Sequence, residues 1–112
     1  MNTEHPSNKR FLQTLEDMRA LSEKKQRDYG SDSDPFANVR EGAIDMGMQP
    51  WVGAALRMND KMRRINKAAR LGPESLNFDS LEDDFIDMAN YAVIGKALLD
   101  EWQEGRKAET NV

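Results

Sequence analysis

Five acids and no base stand between Asp79 and Asp87, whereas six bases and one acid stand between Arg57 and Arg70. Carboxylates at this density repel one another unless a cation joins them. A hard divalent ion held by a few carboxylates and by phosphate oxygens is one such cation, which points to Mg²⁺, with Mn²⁺ as the alternative. Guanidinium and ammonium groups beside it would meet the phosphates. The residues that carry this chemistry are Asp60, Asp79, Asp83 and Asp87 as metal ligands, and Arg57, Lys61 and Arg64 as phosphate contacts. The bland alternative is equally concrete. A basic helix beside an acidic one can form intramolecular ion pairs worth little where exposed, and acids in a first helical turn suit the macrodipole.

The elements that would position these groups follow from periodicity and punctuation. A first helix runs from a Ser7 or Asn8 cap to about Asp28, with Phe11, Leu12, Leu15, Met18 and Leu21 on one apolar stripe. The run 29–35 breaks it. A short helix spans about Phe36 to Met46 and stops at Gly47, and the next runs from Pro50 to Arg70 before Leu71-Gly72-Pro73. The last starts near Asp79 or Ser80, with Ser80 and Asp83 spaced like a capping box, and reaches about Glu104. No segment alternates with period two, so an all-α fold of four to five helices is expected, with 1–112 as one domain and 1–7 and 105–112 flexible.

Helical geometry then sorts the faces. With Asp60 at zero, Arg64 falls at ~40°, Arg57 at ~60° and Lys61 at ~100°, flanking the apolar stripe of that helix. With Asp79 at zero, Asn90 falls at ~20°, Asp83 at ~40° and Asp87 at ~80°, alongside Ile86, Ile94 and Ala97. Leu81, Phe85, Met88, Ala92, Gly95, Leu99 and Trp102 form a second apolar row. Its steps of four and three suggest a coiled-coil-like seam and a homodimer or higher homo-oligomer. Trp51, Trp102 and the methionines read as core, Glu41 and Asp45 as a solvated face, and His5 as part of an unstructured terminus.

Bulk properties narrow the classes. The 112 residues hold no cysteine, which removes disulfides and thiolate chemistry and suits a reducing, cytoplasmic setting. A net charge of −4 argues against non-specific nucleic-acid binding. No apolar run approaches the ~20 residues of a membrane span, and the amino terminus lacks a signal-peptide pattern.

Three segments carry a resemblance: Lys25-Gln26-Arg27-Asp28-Tyr29-Gly30, then Arg57-Met58-Asn59-Asp60-Lys61-Met62-Arg63-Arg64-Ile65, then Asp79-Ser80-Leu81-Glu82-Asp83-Asp84-Phe85-Ile86-Asp87-Met88-Ala89-Asn90-Tyr91-Ala92. Over about residues 20–100 they resemble a small phage and bacterial family, nucleotide modification associated domain 1. The last two also look like the all-α nucleotide pyrophosphatases of the MazG and dimeric dUTPase type. Asp79 stands where the first family shows Glu, and Arg57-x-x-Asp60 replaces the E-x-x-E element of the second. The resemblance implies a MazG-like fold and Mg²⁺-dependent hydrolysis of a nucleoside triphosphate between its α- and β-phosphates. Asp60, Asp83 and Asp87 would be catalytic, and Lys25, Tyr29, Arg57, Lys61, Arg64, Asn90 and Tyr91 would bind the nucleotide. The alternatives are a non-catalytic nucleotide-binding or regulatory protein, and a structural helical oligomer without a small-molecule site.

Overall fold

A computed structural model describes residues 5–29, 34 and 36–110, without the side chains of Lys25, Gln26, Asp28, Tyr29, Pro73 and Thr110. The described residues are all-α: α1 (Pro6–Tyr29), α2 (Ala37–Asp45), α3 (Pro50–Arg70) and α4 (Phe78–Thr110), with a single 3-10 turn at Pro73–Ser75. Among them no helix is long and apolar enough to cross a membrane. By contacts the chain divides into two units, Met1–Ala37 and Asn38–Val112.

In the first unit, α1 begins earlier than a Ser7 or Asn8 cap would allow. His5 takes that role: its carbonyl accepts from Lys9 N–H at 3.0 Å and its Nδ1 accepts from Ser7 N–H at 3.1 Å. The imidazole acceptor satisfies one orphan donor of the first turn, and Pro6 fits the first helical position because it has no N–H to leave unpaired. His5 is therefore a cap rather than part of an unstructured end. The apolar stripe of α1 is exposed at Phe11, Leu12, Leu15 and Leu21, each more than 40 % accessible.

In the second unit, α2 ends as its glycine demands. Gly47 adopts φ 72°, its N–H donates to Ile44 O at 2.9 Å, and Met48 N–H reaches back to Ala43 O at 2.9 Å. This pair of reversed bonds satisfies the last carbonyls, and only a residue without a Cβ takes the left-handed conformation at no steric cost. Pro50 opens α3 as expected, and α3 ends at Arg70 where Gly72-Pro73 follow. The start of α4 differs from expectation. Asn77 is the cap, with Oδ1 accepting from Ser80 N–H at 3.1 Å, so Ser80 sits inside the first turn and is free to face α3. Nor does Gly105 stop α4. A glycine costs ~1 kcal/mol in a helix interior, too little to outweigh Arg106, Lys107 and Ala108, which favour helix and place cations near its C-terminal end.

α3 and α4 pack antiparallel, and their contact is made by small residues. A Cβ on Gly95 would come 3.2 Å from the Ala54 Cβ, and Ala54 is fully buried. α2 crosses α3 still more closely, with a Cβ on Gly53 falling 2.9 Å from that of Ala43. An Arg40–Glu101 ion pair at 3.0 Å ties α2 to α4. Ile65, Ile94 and Leu98 complete the core. At one end of the pair, the rings of Trp51 and Trp102 lie 6.4 Å apart at 55°, and the Arg106 guanidinium stands 5.0 Å above Trp102.

Candidate functional site

The inward face of α4 is the row Asp84, Asp87, Tyr91, Ile94 and Leu98, buried or half-buried, in steps of three and four. The expected apolar row is divided between solvent and the contact with α3. Phe85 is 53 % exposed, while Gly95 and Trp102 are consumed within the chain against Ala54 and Trp51. The physical reason is that α3 presents cations at this level, so the matching positions of α4 are acids rather than aliphatics.

Two ion pairs cross the seam. Lys61 Nζ lies 3.2 Å from Asp87 Oδ2, with both side chains about three-quarters buried. Arg64 Nε lies 3.2 Å from Asp84 Oδ1, and Arg64 Nη2 donates to Ser80 Oγ at 3.5 Å. Asp84 is the buried charge among the described residues, its side chain 6 % accessible against 58 % for Arg64. A carboxylate withdrawn from water to this degree needs a cation, and the flexible guanidinium supplies one while its outer edge stays wet.

The other candidates are distributed as follows. Arg57 and Asp60 line a groove of about 230 Å³ between α2 and α3, walled mainly by Val39, Ala43, Met46, Met48 and Leu56. Asp79 lies exposed in the first turn of α4, and Asp83 is exposed one turn on. Asn90 and Tyr91 are half-buried on α4. The side chains of Lys25 and Tyr29 lie outside the described residues. Glu41 and Asp45 are exposed, as expected of a solvated face. Among the described residues, no three of His, Asp and Glu gather as metal ligands.

Two participants were missed by reading faces from the sequence. Face reading favours Asp83 over Asp84, although the heptad relation of Asp84 to Tyr91 and Leu98 marks it as inward. Lys67 extends the row Arg57, Lys61, Arg64 by a further turn. With Arg64, Ser75, Asn77 and Ser80 it lines a second groove, of about 260 Å³, beside the start of α4. Both grooves fall short of the ~300–1,000 Å³ usual for small-molecule sites, so neither alone encloses a whole nucleotide. Comparison with known protein families, with curated proteins and with solved structures finds no match for this chain.

Proposed function

We propose that this chain is a MazG-like nucleotide-binding protein, working as a homo-oligomer in the cytoplasmic nucleotide metabolism of a phage or bacterium. The observation that carries the reading is the cationic row Arg57, Lys61, Arg64 and Lys67 along α3. It starts in the groove against α2, walled by Val39, Met46 and Leu56, and ends in the groove beside α4, where Arg64 and Lys67 stand among Leu71, Leu76 and Leu81. Ten residues of helix span ~15 Å, long enough for an apolar groove to receive a base while cations further along receive phosphates. A phosphate entering the seam competes with Asp84 and Asp87 for cations on flexible stems. The resemblance of its motifs to those of all-α pyrophosphatases suggests the nucleotide class.

The metal reading fits less well within one chain. Asp87 and Asp84 are already matched by Lys61 and Arg64, and Asp60 lines a groove with Arg57. Asp84 and Asp87 thus serve as counter-charges to α3, which leaves fewer carboxylates to hold Mg²⁺ or Mn²⁺, and binding without turnover is the reading supported best.

Calorimetry with canonical and modified deoxynucleoside mono-, di- and triphosphates, with and without Mg²⁺, tests the proposal. Affinity is expected to rise with phosphate number, to weaken with salt, and to fall at least tenfold in the Arg57→Ala/Lys67→Ala variant. Absence of binding by every nucleotide would overturn it, and release of pyrophosphate with Mg²⁺ would replace the binding-only form by hydrolysis. A second reading, a helical oligomer with no small-molecule site, is favoured by the exposure of Phe78 (67 %), Phe85 (53 %) and Val93 (67 %).

A further inference from the structure

One face of α4 remains exposed after α3 has covered the other. Taking Phe78 as zero, Phe85 falls at ~−20°, Lys96 at ~0°, Ala89 at ~20°, Glu82 at ~40° and Val93 at ~60°. Phe78, Phe85 and Val93 are each more than half accessible on this stripe. Four of its residues pair about Ala89: Phe85 and Val93 stand four positions to either side, and the oppositely charged Glu82 and Lys96 seven.

From this mirror pattern we infer that α4 pairs with α4 of a second copy, antiparallel, across a two-fold axis at Ala89. The inference rests on the homo-oligomer part of the reading above and gives it an interface and a register. In that register Phe85 of one copy meets Val93 of the other, and Glu82 meets Lys96, each contact occurring twice by symmetry. The small side chain of Ala89 at the axis lets the helices approach closely. A parallel pairing of the same stripe would set Glu82 on Glu82 and Lys96 on Lys96, a like-charge arrangement that is destabilising. Opposite charges at mirrored positions therefore select the antiparallel form and the second copy as occupant. Lys96 also pairs with Asp100 of its own helix, so in the dimer it lies between two carboxylates.

The absence of cysteine from the chain permits a direct test by single-site oxidation and mass measurement. Ala89→Cys is expected to form a disulfide-linked dimer, because the two thiols meet at the axis. Glu82→Cys and Lys96→Cys are each expected to stay unlinked alone and to form a linked heterodimer when mixed. Glu82→Lys should weaken dimerisation about tenfold, since attraction turns to repulsion at two symmetric contacts, and Phe85→Asp should abolish it. A monomeric mass for the unmodified chain at micromolar concentration would overturn the oligomer itself. A dimer whose Ala89→Cys form does not link, whose Glu82→Cys form links to itself, or which survives Phe85→Asp would overturn this seam alone. Nucleotide binding is measured separately and decides the other part of the reading.

Discussion

Truncating Arg64, a side chain mostly in solvent, should destabilise the fold more than altering Asp84, which is almost wholly buried. At 3.2 Å and an effective dielectric of about 20, Coulomb's law gives about 5 kcal/mol for the bare pair. Water on the 58 % accessible guanidinium and the desolvation of Asp84 cancel much of that. Arg64→Ala leaves a carboxylate in the seam without its cation, which costs about 1–3 kcal/mol. Asp84→Asn removes the charge that required the cation and keeps an oxygen able to accept from it, so its cost stays below about 1 kcal/mol. Urea unfolding followed by far-ultraviolet circular dichroism, at one protein concentration, gives both values from the shift in midpoint. An Asp84→Asn loss equal to or larger than that of Arg64→Ala would refute the argument, because it would mean that Asp84 contributes by attraction rather than needing rescue.

Gly53→Ala should cost stability although alanine is the better helix former by ~1 kcal/mol. Its Cβ would lie 2.9 Å from that of Ala43 and 3.3 Å from Val39 O, and overpacking of this kind costs ~1–3 kcal/mol. Gly95→Ala, at 3.2 Å from Ala54, should cost less, and the order is checked by thermal melts. In α1, the hydrogen bond and charge of Arg19 hold the Glu16 carboxyl below its ordinary 4.5. The stabilisation is therefore complete above that value and lost as pH falls through the lowered one. The helical signal of the native chain should drop more steeply below pH 4.5 than that of Glu16→Gln, as an acid titration followed by circular dichroism would read.

The parts of the fold legible in the sequence are those fixed by backbone chemistry. Pro50, Gly47 and Gly72-Pro73 constrain φ or remove a donor whatever surrounds them, so α3 is bounded correctly and α2 to within a residue. The caps are less legible, because Asn77 and Ser80 are both good acceptors and the choice depends on where the chain leaves the 3-10 turn. The inward face of α4 was hardest to see. Asp83 and Asp84 are ~100° apart, and counting aliphatics pulls the chosen face toward Phe85 and away from a row that contains two acids. That the row faces α3 becomes visible only once Lys61 and Arg64 stand opposite it. Arg57, Lys61 and Arg64, by contrast, are legible as a row from helical spacing alone, although that reading stops one turn short of Lys67.

The tryptophan pair has an optical consequence. Trp51 and Trp102 are the chain's two indoles and lie together at one end of the α3–α4 contact. Lys61 and Arg64 lie ten and thirteen residues further along α3, ~15–20 Å away. Intrinsic emission thus reports on that end, where ring–ring and ring–guanidinium contacts set the quantum yield, and is blind to fraying of the charged seam. If the seam end opens first, the emission transition will lag the dichroic one, and their separation measures how tightly the two ends are coupled.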